Sequence, residues 1–199
     1  MLIVPRVYEQ TPLGEREFDI FSRLLRDRIV LLSNYLDNEL ANLIIAQLLF
    51  LEAEEPEKDI FLYINAPGGE VCSAMAVYDT MNFIRSDVST ICTGLAGASV
   101  ALLLASGAKG KRMLLPNARI MLHQVYGQAE GPAVDVQIAA QEIERLRQTV
   151  NSLLVKHTGK SLRSIVRDTD RDFYLDAREA LEYGLADQLI EKHPSEKKK

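Results

Sequence analysis

The segment 88–107, VSTICTGLAGASVALLLASG, constrains the fold of this 199-residue chain more than any other stretch. Residues 88–94 are mostly β-branched or apolar, which predicts a buried strand. Small residues follow at 96–99, and the apolar run 100–105 before Gly107 predicts a short buried helix. The segment therefore predicts a strand that turns tightly into a helix inside the core.

A turn of this kind can carry chemistry. Small residues let other groups approach the backbone closely, and the first turn of a helix presents unpaired N–H donors at the positive end of its dipole. Hydrolases place a nucleophile and its oxyanion-binding donors at such a turn. The alternative is a buried strand–helix joint with no chemical role, which is common in α/β cores.

Composition argues against several classes of protein. The net charge of −5 argues against a nucleic-acid-binding surface. Two cysteines, Cys72 and Cys92, are too few for a disulfide scaffold, so reduced and buried thiols are expected. The N-terminal residues show no secretion signal, and no apolar run approaches the ~20 residues that cross a bilayer. We therefore expect a protein of a reducing compartment, most simply the cytoplasm, with no nucleic-acid or membrane partner.

Elsewhere in the chain, strands and helices alternate, which predicts an α/β domain. Further strands are predicted over residues 28–33, 60–64, 112–115, 120–122 and 173–175. Further helices are predicted after Asp37, after the turn at 65–69, over 133–157, from Ser161 and over 177–183. Apolar residues recur at helical spacing in the longest of these segments, 133–157.

The chain divides into one domain with two appendages. Residues 1–20 contain prolines and glycine and predict an extended, partly mobile arm, whereas the lysine-rich end 193–199 predicts a disordered tail. The domain itself is predicted over 21–192. Its helix at 133–157 is too long for a routine crossover, so we expect it either to project toward a partner or to lie across its own sheet.

The chain has three histidines. His193 falls in the polar tail, where no role is expected. His157 ends the long helix, where a partly charged imidazole would favour the helix dipole and act as a cap. His123 follows the strand at 120–122, and a histidine held at a strand end can act as a general base. The alternative for His123 is a hydrogen-bonded structural residue.

The glycine pair Gly68–Gly69 follows the strand at 60–64. Its backbone N–H groups are unshielded by side chains, which suits an oxyanion hole or a peptide-binding edge. The alternative is a plain turn. The surrounding sequence lacks both the lysine of a phosphate-binding loop and the GxGxxG spacing of a dinucleotide site.

Many short blocks of this sequence, in order, resemble the Clp protease family of self-compartmentalising serine peptidases. They include LYIN at 62–65, PGG at 67–69, YDTM at 78–81, GAKGKR at 107–112, LPN at 115–117, HTG at 157–159 and EYGL at 182–185. The resemblance covers nearly the whole chain. It implies a crotonase-like α/β fold of repeated strand-strand-helix units, the ClpP fold, with a projecting handle at about 125–157.

The resemblance also implies serine-type acyl transfer by a triad at positions 98, 123 and 172. His123 and Asp172 match the base and the residue that orients it, but position 98, where the family has its serine nucleophile, is alanine. An alanine methyl group cannot attack a carbonyl. The chain is therefore expected to bind peptide without forming an acyl-enzyme.

Three further positions complete the implied catalytic site. The N–H group of Ser99, together with that of Gly68 or Gly69, resembles the family's oxyanion hole. Ser99 itself is a poor substitute nucleophile, because one step along a helix turns a side chain by about 100°.

Two explanations of Ala98 remain open. One is a Ser→Ala replacement in an active protease, which the intact His123 and Asp172 favour. The other is a natural non-catalytic ring subunit that assembles beside active subunits. The loop at 125–130 also departs from the family pattern, which leaves substrate preference and ring pairing open. A crotonase acting on acyl-CoA shares the fold but explains the His123–Asp172 spacing poorly.

The resemblance implies partners but no cofactor, neither metal nor nucleotide. Homo- or hetero-oligomeric heptameric rings would stack into a tetradecamer, with Asp170 and Arg171 at the contact between rings. A Clp-family AAA+ unfoldase would deliver unfolded polypeptides. Apolar residues at or near the implied docking clefts, which could equally be core, are Phe61, Tyr63, Phe83, Ile91 and Leu115.

Overall fold

The computed structural model describes residues 4–11 and 14–191. The predicted tail at 193–199, with His193, lies outside the described residues, as do 1–3 and 12–13 of the predicted arm. In chain order the elements are β1 (Arg6–Thr11), β2 (Gly14–Asp19), α1 (Ile20–Arg26), β3 (Ile29–Ser33), α2 (Asn38–Glu54), β4 (Ile60–Ala66), α3 (Val71–Phe83), β5 (Val88–Gly97), α4 (Ser99–Ala105), β6 (Arg112–Leu114), β7 (Arg119–Leu122), α5 (Ala133–Thr158), α6 (Leu162–Thr169), β8 (Phe173–Leu175), α7 (Ala177–Tyr183) and β9 (Gln188–Leu189).

A mainly parallel sheet organises the domain. Its strands lie in the order β3–β4–β5–β6–β9, all parallel to their neighbours. β7 pairs in parallel with the end of β5 and antiparallel with β8. The predicted α/β class is confirmed.

β5 is longer than its sequence predicts. Its first half pairs with β6 at 90–92, and its last three residues, 95–97, pair with β7. The prediction ended the strand at Gly94, where the β-branched run stops. The strand continues to Gly97 because a partner about 24 residues further along the chain supplies the hydrogen bonds.

The helix that follows β5 forms the centre of the core. Every residue of α4 is buried, and the helix packs against α3, β5 and α5. The predicted buried strand–turn–helix is therefore confirmed. Among the described residues, no helix combines the length and the apolar character that a membrane crossing requires.

The predicted N-terminal arm forms a hairpin in its described part. β1 and β2 pair antiparallel from Arg6 opposite Asp19 to Thr11 opposite Gly14. Glu9 connects the hairpin to α1, because its carboxylate lies 2.7 Å from Arg26 and 3.5 Å from Arg23. Extended backbone was predicted here, but strand pairing was not.

α5 confirms the helix predicted at 133–157. Its buried residues are Val150, Asn151 and Leu154, all in its C-terminal half. Val134 and Ile138 in the first half are 67% and 60% exposed. Of the two alternatives, the helix therefore leaves its first half projecting, with apolar side chains uncovered within this chain.

The five apolar residues that the resemblance assigns to docking clefts differ in exposure. Phe83 is 82% exposed, whereas Phe61, Tyr63 and Leu115 are partly exposed. Ile91 is buried in β5 and belongs to the core. Of the two alternatives for Ile91, burial within this chain favours the core.

A nearly buried ion pair connects the sheet to the C-terminal part of the domain. The Arg112 guanidinium donates to both carboxylate oxygens of Asp187, at 2.6 and 2.9 Å. It also donates to the carbonyls of Ala105, His157 and Gly184 at 3.0–3.1 Å. The hydrogen bond from Arg112 is the main cause that lowers the pKa of Asp187. One side chain thus joins α4, α5 and the end of α7.

We predict that Asp187→Asn lowers the free energy of unfolding by about 3 kcal/mol at neutral pH, because it leaves the Arg112 charge nearly buried without its partner. Urea unfolding at fixed protein concentration measures this. The control is Glu52→Gln, whose partner Arg85 is highly exposed, so a loss below about 1 kcal/mol is expected. The pKa of Asp187 is lower in the folded state than in the unfolded chain. Asp187 therefore stabilises the fold at pH values above its unfolded-state pKa, and this stabilisation is lost as the pH falls through its folded-state pKa. Equal losses in the two variants would contradict this account.

His157 does not act as a charged helix cap. Its Nε2 lies 3.0 Å from the Tyr78 hydroxyl, and that hydroxyl also accepts from Lys156 at 3.2 Å. Burial first, and then the positive charges of Lys156 and Arg112, lower the pKa of His157 to about 4. The imidazole is therefore neutral at physiological pH, and the expected cap is wrong because the side chain folds into this cluster.

We predict that His157 makes the folded state less stable as pH falls from about 6.5 to 4. The unfolded chain binds a proton on His157 in that window and the folded chain does not, so stability rises with pH. The difference between the unfolded and folded pKa values of His157 corresponds to a change in the free energy of unfolding of at most about 3 kcal/mol. Screening by solvent makes the change smaller. His157→Gln should flatten the pH profile of urea unfolding, whereas the control Gln141→Asn, an exposed change in the same helix that alters no titratable group, should leave the profile unchanged. An unaltered slope in His157→Gln would count against the assignment.

Candidate active site

The turn between β5 and α4 has a strained backbone. Ala98 has φ 47° and ψ −117°, in the left-handed range that alanine rarely adopts. Its N–H donates to the Met121 carbonyl at 2.8 Å, and its carbonyl accepts from Ala101 at 3.1 Å. Such conformations cost about 1–3 kcal/mol and cluster at functional sites. The strand–turn–helix geometry is the one in which hydrolases expose a nucleophile.

A second loop lies directly against this turn because Gly97 has no side chain. A Cβ at Gly97 would collide with the carbonyl of Pro67. A Cβ built on Gly68 would lie 3.6 Å from that of Ala98. The loop that follows β4 is therefore within van der Waals reach of position 98.

Two unpaired backbone donors border the turn. The Leu36 N–H donates to the Gly68 carbonyl at 3.0 Å, and the Leu36 carbonyl accepts from the Glu70 N–H at 2.8 Å. Gly69 lies between these two bonds, so its own N–H is unused. Within residues 4–11 and 14–191, neither this N–H nor that of Ser99 has a hydrogen-bond partner. Two such donors can stabilise a developing oxyanion.

The hydroxyl of Ser99 is already engaged. Ser99 is 5% exposed, and its Oγ donates to the Gly69 carbonyl at 2.9 Å. This bond ties the first residue of α4 to the glycine loop. It supports the interpretation that Ser99 contributes its backbone and does not attack substrate.

Strand pairing brings His123 and Asp172 together. His123 follows β7 and Asp172 precedes β8, and the register places Leu122 opposite Phe173. His123 Nε2 lies 3.7 Å from Asp172 Oδ1, too long for a hydrogen bond. His123 Nδ1 lies 2.6 Å from the Gln124 carbonyl. A working triad needs one ring nitrogen on the carboxylate and the other toward the nucleophile, so this ring is not aligned for catalysis.

A cavity of about 360 Å³ adjoins these groups. The predicted site residues on its wall are Gly69, Ala98, Ser99 and His123. A neighbouring recess of about 190 Å³ is lined by Gly68, Gly69, Ala98, His123 and Asp172. The structure therefore brings the six predicted catalytic and oxyanion positions to one place. The larger cavity is mostly apolar on the side formed by α5, which suits an amino-acid side chain of a bound peptide.

The two residues expected at a contact between rings lie beside this site. Asp170 and Arg171 are highly exposed, with their charged groups 3.8 Å apart. The Gln124 side chain donates to the Asp170 carbonyl at 2.9 Å. The segment that follows His123 is thus connected to the turn that carries both charges.

The cavity wall also carries five polar residues that were not predicted as site residues: Tyr35, Glu70, Cys72, Gln124 and Tyr126. Cys72 is exposed, which corrects the expectation that both thiols are buried, whereas burial raises the pKa of Cys92 to about 11. The signal that could have found Tyr35 and Glu70 is their place after β3 and β4. Ligands of parallel sheets bind beyond the carboxyl ends of the strands.

The chain matches the model of a known protein family. The sequence model of the family described as Clp protease matches residues 12–193. The matched region contains every residue of the candidate site.

We predict that Ala98→Gly stabilises the protein, because glycine adopts positive φ without steric cost. The expected gain is about 1 kcal/mol, or a rise in Tm of about 3 °C for a chain of this size. Scanning calorimetry of the assembled protein measures it. Ala101→Gly, in the same buried helix but with ordinary backbone, should instead lose about 1 kcal/mol. A loss of stability in Ala98→Gly would show that the turn is not strained.

Proposed function

Because the chain belongs to the Clp protease family, we propose that it is a Clp-type proteolytic subunit whose serine-type acyl transfer is blocked at Ala98. The observation that supports this most strongly is the positive φ of Ala98 at a strand-to-helix turn beside His123. A residue held in that conformation presents its Cβ to the cavity, where a nucleophile would act. Here the Cβ carries no oxygen.

In the serine-containing form, the hydroxyl at position 98 attacks the peptide carbonyl while His123 accepts its proton. The N–H groups of Gly69 and Ser99 stabilise the oxyanion, and Asp172 orients the imidazole. Collapse of the intermediate breaks the C–N bond, and the proton passes from His123 to the leaving amine. Water then releases the acyl group by the same route in reverse. This chemistry needs His123 to leave the Gln124 carbonyl and turn toward both partners.

The chain with Ala98 keeps the binding half of this mechanism. Its cavity and its free N–H donors accept a peptide, but no acyl-enzyme forms. Loss of a triad serine reduces turnover by about 10⁶-fold. A bound substrate polypeptide would therefore remain uncut until it dissociates.

We further propose the assembly typical of the family. The uncovered apolar residues in the first half of α5 would pack between heptameric rings, and Asp170 and Arg171 would join them. The exposed Phe83 would contribute to the surface on which a Clp-family AAA+ unfoldase docks. In this assembly the protein would act in the cytoplasm on unfolded polypeptides.

A second candidate function is a non-catalytic ring subunit that supports active neighbours. The 3.7 Å separation of His123 and Asp172 favours this function, because a subunit without a nucleophile does not require a hydrogen bond between them. An acyl-CoA enzyme of the crotonase type is the remaining alternative, and acyl-CoA binding and turnover would support it.

The test is hydrolysis of a fluorogenic short peptide by Ala98→Ser and by the unchanged chain. Both are purified as oligomers, and analytical ultracentrifugation verifies that the two oligomers have equal size. We predict a rise in kcat/KM of about 10⁶-fold in Ala98→Ser. The control is the Ala98→Ser/His123→Ala double variant, which should return to the background rate.

The alternatives give different results. An assembled but inactive Ala98→Ser variant would indicate the non-catalytic subunit. Hydrolysis by the unchanged chain would contradict the placement of the nucleophile.

A further inference from the structure

The candidate cavity has one charged rim that the proposed mechanism does not use. Glu70 follows the oxyanion glycine directly and is exposed on the cavity wall. Its carboxylate accepts a hydrogen bond from the neutral Ser73 hydroxyl at 3.0 Å. Among the described residues it forms no ion pair. The carboxylate is therefore available to a ligand.

Two tyrosine rings share this rim. Tyr35 and Tyr126 line the same cavity and are 49% and 74% exposed. Glu70 lines the cavity beside both rings. The pKa of Tyr35 is raised, first by burial and then by its electrostatic interactions with Tyr126 and Glu70. The face of a tyrosine ring attracts a cation within about 6 Å of its centre.

The carboxylate on this rim has no basic neighbour among the described residues of the cavity wall. Within the described part of the chain, the residues that line the cavity and the neighbouring recess include neither lysine nor arginine. Their carboxylates are Glu70 in the cavity and Asp172 in the recess, and His123 lines both spaces. The other titratable groups are Tyr35, Cys72 and Tyr126. The opposite part of the wall is apolar and includes Val71, Ile143 and Leu146. The cavity thus joins an apolar wall to a negative, aromatic rim.

We propose that Glu70 makes this site selective for a long cationic side chain, lysine or arginine, at the residue before the cleaved bond. This rests on the proposed peptide-binding function. The carbonyl of that residue meets the oxyanion donors, so its side chain enters the adjoining cavity. A lysine or arginine stem packs on the apolar wall while its charged end reaches the carboxylate and the tyrosine rings. A glutamate side chain meets a like charge there and is disfavoured.

The test measures binding to the unchanged chain, so it does not depend on restored catalysis. Three fluorescent peptides share one sequence and end in lysine, glutamine or glutamate, so that the terminal carboxylate meets the oxyanion donors. Fluorescence anisotropy gives the affinities. We expect the lysine peptide to bind about fivefold more tightly than the glutamine peptide, as a partly exposed ion pair allows. The glutamate peptide should bind most weakly.

Variants of Glu70 isolate the charge. Glu70→Gln should abolish the preference for lysine while leaving the glutamine peptide's affinity unchanged, which also shows that the variant is folded. Glu70→Ser, which keeps a good helix N-cap residue, should behave in the same way. Glu70→Lys should reverse the order so that the glutamate peptide binds best. Glu57→Gln removes an exposed carboxylate that does not line the site and should retain the original order.

The outcomes separate the two proposals. If none of the peptides binds, the proposed peptide-binding function and this inference both fail. If all bind with equal affinity, or if Glu70→Gln retains the preference, only the selectivity is overturned. A charge-based preference should also shrink between 0.05 and 0.5 M salt, because the Debye length falls from about 14 to 4 Å. A preference that does not change with salt would count against Glu70.

Discussion

The left-handed backbone of Ala98 determines how the parts of the candidate site meet. It turns the chain abruptly from β5 into the buried helix α4, and the carbonyl of Met121 holds it in place. The same hydrogen bond connects Ala98 to the strand before the candidate base, because Met121 lies in β7 and His123 directly follows that strand. Gly97 allows the glycine loop to approach from the other side. This conformation costs about 1–3 kcal/mol and is retained because β7, α4 and the glycine loop all contact the turn and hold it in place.

Local signals in the sequence predicted most of the elements. The caps at Asp37 and Ser161 accept hydrogen bonds from the helices that they begin, and the period of apolar residues located α5. The extension of β5 to Gly97 and the pairing of β1 with β2 were not predicted. The first depends on β7, about 24 residues further along the chain, and the second on the adjacent β2. The local composition of a strand does not specify its neighbour. Tyr35 and Glu70 were missed for the same reason, because only the sheet brings their loops together.

The resemblance identified the candidate site more completely than the residue pattern did, but it could not specify side-chain orientation. The resemblance assigns the base to His123 and its orienting acid to Asp172, yet the imidazole bonds to the adjacent Gln124 carbonyl. The orientation of the His123 ring depends on the loop that follows it, through the Gln124 carbonyl and the Tyr126 ring. The engagement of Ser99 with the Gly69 carbonyl likewise became visible only in three dimensions.

The central claim is that position 98 is the nucleophile position and lacks only its oxygen. The most direct measurement is intact and peptide-level mass spectrometry after treatment with a fluorophosphonate, which labels activated serines. The account predicts one adduct per subunit at position 98 in Ala98→Ser, lost when His123 is also replaced by alanine, and no adduct in the unchanged chain. Labelling of Ser99 in the unchanged chain, or an assembled Ala98→Ser variant that stays unlabelled, would contradict it.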